Sequence, residues 1–208
     1  YEPYKKLIRS IPQSIQVGDL GLGFRRVSGP NAGEFYSNPP HNDMVQGNHR
    51  FIRGNHDNLT ECKKHSQWIK DGHIEDNMMF IGGAVSIDRA YRTEEYNWWK
   101  DEELTQDCLD KFVGLYIETK PKIMVTHDCP ETIAVELERS FYRGKLDPRY
   151  VSRTRIALQA MWSVYSPNLW IFGHWHNSFD QVLNGTRFIC LKELEHRDIE
   201  IGDVHAIH

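Results

Sequence analysis

The sequence predicts an α/β protein. Three observations carry that prediction. Short apolar runs alternate with longer stretches of helical period along the chain. Five of the runs close on Asp, Asn or His, four of them through a glycine that lets the backbone turn sharply at a strand end. The chain has 208 residues, of which 39% are hydrophobic and 26% charged, which fits one globular domain over 1–208 with a sizeable core.

The elements follow in order. "EPYKKLIRS" is a short helix candidate, and "SIQV" is a strand leading into Gly18-Asp19. "SGPNAGEFYSNPPHND", Ser28 to Asp43, is rich in Gly, Pro, Asn and Ser and reads as a long surface loop. "GNHR", Gly47 to Arg50, reads as loop, and "FIR" as a strand leading into Gly54-Asn55-His56-Asp57. "MMFIGG" and "TRFICL" are strands without polar endings. "DEELTQDCLDKFVGLYIETK" carries Leu104, Cys108, Phe112 and Leu115 at helical spacing and stops before Pro121. "KIMV" leads into Thr126-His127-Asp128. "SRTRIALQAMWSVY" is a helix whose expected apolar face is Ala157, Ala160, Met161 and Val164. "LWIF" leads into Gly173-His174-Trp175-His176, and "IEI" into Gly202-Asp203-Val204-His205.

Ligands of open α/β sheets gather beyond the carboxyl ends of the strands, so these endings converge. The expected metal ligands are Asp19, Asn55, His127, His174, His176, Asp203 and His205. That set is too large for one tetrahedral ion and suits two divalent ions sharing a bridging carboxylate. Imidazole with carboxylate and no thiolate points to Mn, Fe or Zn and away from Ca. Paired ions about 3.5–4 Å apart activate a bridging water and clamp the oxygens of an in-line displacement, which is what phosphate ester hydrolysis needs. His56, between Asn55 and Asp57, is the expected proton donor to the leaving group, with Asp57 orienting its ring. Asn55, His56 and Arg53 are the expected substrate contacts.

The stretches "VGDLG", "IRGNHDN", "VTHDCP" and "FGHWH" resemble the signature blocks of the calcineurin-like metallophosphoesterase family, and span Val17 to His176. "YRTEEYNWWKDEEL" resembles small bacterial and phage members of it. The resemblance implies a two-sheet β-sandwich flanked by helices, a four-layer α/β/β/α arrangement with a dinuclear site across its top. It implies Asp19 as the bridge between two metals. Asn55, His127 and His174 would then complete one metal, and His176 would serve the other. It also implies His56 as the proton donor to the leaving group, and the expected reaction is hydrolysis of phosphate esters by a metal-bridging hydroxide. Members of the family begin with a strand and Asp-x-His. Here that block, "DIEIGDVHAIH" over 198–208, stands at the far end of the sequence and supplies Asp203 and His205. Read end to start, it continues into "YEPYKKLIRSIPQSIQVGDLG", so the chain reads as a circular permutant. An altered order of segments or donation of the last strand to a neighbouring subunit would give the same pattern.

The expected partner is a phosphorylated small molecule or nucleotide. The net charge of -4 does not favour nucleic acid, and no apolar run is long enough to enter a membrane. A nuclease-like phosphodiesterase and a non-catalytic interaction scaffold are the competing readings. Four scattered cysteines without a Cys-x-x-Cys pair fit a reducing, cytoplasmic setting without disulfides. Cys129 reads as a small filler, and Trp98, Trp99 and Phe141-Tyr142-Arg143 as packing or rim residues.

Overall fold

The computed structural model describes residues 2–35, 39–142 and 151–200. Its centre is a six-stranded sheet in the order β3-β4-β5-β6-β8-β7. The strands are β3 (Ile74–Glu75), β4 (Met78–Ile81), β5 (Ile123–Thr126), β6 (Leu169–Phe172), β7 (Phe179–Leu183) and β8 (Thr186–Cys190). β4, β5, β6 and β8 run parallel, and β3 and β7 close the edges as antiparallel partners of β4 and β8. A second, two-stranded parallel sheet joins β1 (Ser14–Gln16) to β2 (His49–Phe51). The α/β expectation therefore holds.

Parallel neighbours need long crossovers, and helices supply them. α4 (Gln106–Thr119) links β4 to β5, and α5 (Glu131–Leu137) with α6 (Arg153–Val164) links β5 to β6. Both long helices start where a hydroxyl can cap them. Thr105 accepts the Cys108 N–H at 3.4 Å and Ser152 accepts the Arg155 N–H at 3.2 Å. The sharp hairpins come from paired left-handed residues. Asp76-Asn77 (φ 47 and 61) joins β3 to β4, and Asn184-Gly185 (φ 46 and 80) joins β7 to β8.

The central strands are buried on both faces, as their near-continuous apolar sequences require. One face buries Met79, Ile81, Met124, Trp170, Phe172 and Phe188 against Tyr116 of α4, Ile133 of α5 and Leu158, Met161 and Trp162 of α6. Met78, Phe80, Ile123, Val125, Leu169 and Ile189 form the other face, which packs with Ile52, Ile69, Ile15 and Val17. A third cluster of Ile8, Leu22, Met44, Phe51 and Cys62 ties α1 (Glu2–Ile8), α2 (His41–Gln46) and α3 (Leu59–Cys62) to the small sheet.

Several expectations need correction. The last residues of the predicted 28–43 loop enter α2. "GNHR" is not all loop: His49 opens β2, where its buried ring meets the Ser14 hydroxyl at 2.9 Å in register with its partner strand. The face of α6 is displaced, because Leu158 and Trp162 are buried whereas Ala160 and Val164 are exposed. On α4 the buried residues are Leu109 and Tyr116, with Phe112 and Leu115 half-buried beside them. Residues 198–200 carry no strand assignment, although the half-buried Ile199 packs on the second core. Asp203, His205 and the rest of 201–208 lie outside the described residues, as does Arg143. All four cysteines are free, and Cys129 is a fully buried core residue.

Candidate metal centre

Three strand ends meet where the small sheet abuts the large one. β1 delivers Asp19, β5 delivers His127 and β6 delivers His174. One donor atom from each lies within 4.8 Å of the other two, so this trio could hold a metal ion.

Glycines make the approach possible. Gly18 has φ +101, and a Cβ there would collide with the His127 ring; one at Gly54 would collide with the Asp19 carboxylate. Gln16 secures the turn after β1, its side chain accepting the Gly18 N–H at 2.9 Å and donating to the Gly18 carbonyl. Asp57 secures the turn from the other side. Its buried carboxylate accepts backbone N–H groups from Gly54 (2.7 Å), Asp19 (2.8 Å), Leu22 (2.9 Å) and Leu20 (3.2 Å).

The orientation of each donor is fixed by its other contacts. His127 Nδ1 donates to the Val17 carbonyl at 2.7 Å, which turns Nε2 inward. There Nε2 faces Asn55 Oδ1 at 3.0 Å and Asp19 Oδ1 at 3.4 Å. Asn55 is set by the opposite end of its amide, which donates to Ser86 Oγ at 2.9 Å. Ser86 in turn donates its hydroxyl and its N–H to the buried Glu102 carboxylate. His174 takes a left-handed backbone (φ 64) and sets its ring edge-on to His127, the centroids 5.1 Å apart. Asp19 also accepts the backbone N–H of His56 at 2.9 Å.

The electrostatics follow. Burial opposes charge on Asp19 and on His127, but their mutual attraction outweighs it in both. Asp19 is held well below the usual carboxylate range, and His127 is lifted to about 9. His174 is pushed down to about 4 by burial and by the neighbouring His127, despite the opposing pull of Asp128, and so presents a neutral ring with a free lone pair. Burial and the nearby Asp19 carboxylate raise Asp57 despite its backbone donors.

The other expected residues are placed as follows. His176, also left-handed (φ 53), is exposed and borders the same cavity of about 490 Å³ as Asp19 and His174, outside the trio. His56 is half-buried and lines that cavity and a neighbouring cleft of about 440 Å³. Asp57 does not orient it, since the Asp57 oxygens serve the backbone. The His56 ring instead has Asn55 Nδ2 at 3.2 Å, Arg92 Nη2 at 3.3 Å and the edge of Phe24 beside it. Arg53 is no substrate contact here. It is buried, pairs with Asp71 at 2.8 Å and donates to the carbonyls of Asp101 and Glu102.

Sequence reasoning missed two supports. One is Asp128, whose carboxylate binds Arg155 Nε at 2.9 Å and the Trp175 indole N–H at 3.1 Å. Arg155 lies over the Trp175 ring at 4.8 Å, so the loop carrying His174 and His176 is anchored to α6 through the residue between them. The other is the Asp88–Arg92 pair beside His56, legible in principle as opposite charges four positions apart.

No family model matches the chain. It is similar to "Uteroferrin-associated basic protein 2" of Sus scrofa, 28% identical over 154 residues, which cover 70% of this chain and 36% of that protein. The chain thus spans little more than a third of that relative's length, and at this identity the likeness assigns no family. Among the described residues, no helix is long and apolar enough to cross a membrane.

Proposed function

We propose that the chain is a metal-dependent phosphoesterase of the calcineurin-like metallophosphoesterase type, acting on a phosphorylated small molecule or nucleotide. The observation that carries this reading is the meeting of Asp19, His127 and His174 within 4.8 Å at three strand ends. The donor set fits a cation. Two oxygens, from Asn55 and Asp19, converge on His127 Nε2, and a divalent ion would take all three as ligands. Asp19, Asn55, His127 and His174 would hold one ion of the Mn, Fe or Zn class. Asp19 would be shared with a second ion held by His176, Asp203 and His205.

Bound ions would supply an activated water and positive charge for the phosphoryl oxygens. The chain's own groups do the rest. Asp57 fixes both turns that carry Asp19 and Asn55. The His56 ring borders the cleft, in place to pass a proton to a leaving oxygen. An anionic ester entering the cleft opposes the burial that lowers the proton affinity of this ring. The layering also favours the four-layer sandwich: α4, α5 and α6 cover one face of the large sheet, while the small sheet, backed by α1, α2 and α3, meets the other. The circularly permuted order, with 198–208 supplying the first strand and its ligands, belongs to the same proposal.

The test is hydrolysis of a chromogenic phosphate monoester and its diester analogue with Mn, with chelator, and in His56→Ala. Turnover should require the metal and fall about 100-fold or more in His56→Ala with Mn affinity retained. Turnover of neither ester with Mn, Fe or Zn would sink the proposal, as would full activity after chelation.

A further inference from the structure

We propose that Arg92 grips a phosphoryl oxygen of the substrate, beside His56 and in the cleft that the metal donors also line. The inference deepens the phosphoesterase reading and rests on it for the identity of the anion.

The cleft of about 440 Å³ is bordered by Asp19 and His174 from the metal trio and by His56, Asp88 and Arg92. Its lining holds two arginines among the described residues, Arg92 and Arg155. They are used differently. Arg155 is paired with a fully buried carboxylate, Asp128, and covered by Trp175, so its charge is spent internally. Arg92 pairs with Asp88, whose side chain is 45% exposed while that of Arg92 is 16% exposed. A solvated counter-ion leaves more of the guanidinium charge available to a ligand.

Arg92 is also held rigidly. Nε and Nη2 fork onto the two oxygens of Asp88 at 2.7 and 2.6 Å. Nη1 reaches the Asn97 carbonyl at 3.3 Å, and the guanidinium carbon lies 5.7 Å from the Phe24 ring centre. The edge left facing the cleft presents Nη2 to His56 Nε2 across 3.3 Å, a long contact for an N–H donor. An oxyanion entering there would accept a hydrogen bond from Nη2 and stand next to the ring that protonates the leaving group. The fork itself is taken by Asp88, so the second hydrogen of Nη2 is the charged donor offered to a phosphate oxygen.

Inorganic phosphate is the probe, titrated calorimetrically into the Mn-loaded and the chelated protein, alongside Mn affinity, melting temperature and ester turnover. Arg92→Gln should weaken phosphate binding about tenfold or more, with Mn affinity within about twofold of wild type. Arg92→Lys should recover part of the loss. Asp88→Asn removes the ion pair but not the gripping group, and should keep phosphate affinity within about threefold. Phosphate affinity unchanged in both Arg92 variants overturns the inference. An equal loss in Asp88→Asn overturns it too, because the pair would then serve only to brace its own turn. A wild-type protein that binds Mn and turns over ester but shows no Arg92-dependent phosphate binding refutes this inference alone. Arg92-dependent phosphate binding without Mn binding or turnover refutes the metal-dependent reading instead.

Discussion

At the scale of single residues, the centre depends on atoms that are missing. Val17 stands 110 positions before His127, yet its carbonyl sets the His127 tautomer, and the two chains pass so closely that Gly18 has no room for a methyl group. Gly18→Ala should therefore cost about 2–4 kcal/mol, from left-handed strain plus displacement of the His127 ring, and should abolish the rise in melting temperature caused by Mn. Gly29 is the control. It has φ +91 but open space around it, so Gly29→Ala should cost about 1 kcal/mol and leave the Mn response intact. Denaturant unfolding with and without Mn measures both. The glycines were readable in the sequence as turn formers. Their second role was not, because it depends on which ring arrives from a distant strand. Asp57 and Arg53 were misread for the same reason: nothing local distinguishes a charge that serves a ligand from one that holds the backbone.

At the scale of elements, α6 does more than cross over the sheet. Its Arg155 projects among buried residues and meets Asp128, with side chains 6% and 0% exposed. Arg155→Met would leave the Asp128 carboxylate buried without its partner, at a cost of about 3–5 kcal/mol, and Asp128→Asn in the same chain should recover much of it. Urea unfolding of the single and double variants measures the difference. The existence of α6 was legible from the helical spacing of its apolar residues, but its face was not. Apolar residues lie on several sides of this helix, and a buried arginine breaks the periodic pattern that assigns the inner one. The strands β1, β5 and β6 fared better, since their apolar runs end in the polar residues that mark the sheet's carboxyl edge. The β7–β8 hairpin was missed, although Asn184-Gly185 is a turn signal for one.

At the scale of the molecule, the two sheets share an apolar seam, and charge is tolerated only where it is matched. Burial lowers the proton affinity of His49 and His65, both remote from the metal trio. Their folded values lie below the unfolded value near 6.5, so the stability they allow is present above that pH and is lost as pH falls below it. The chelated protein should lose stability as pH falls below about 6.5, and His49→Gln should flatten that fall; melting temperature against pH decides it. A single carboxylate, that of Asp57, gathers amides from 19, 20, 22 and 54. It acts as a latch on two loops far apart in the chain. Neither can peel open while the other stays shut, so they form one cooperative unit of local unfolding, and the centre is made or unmade as a whole.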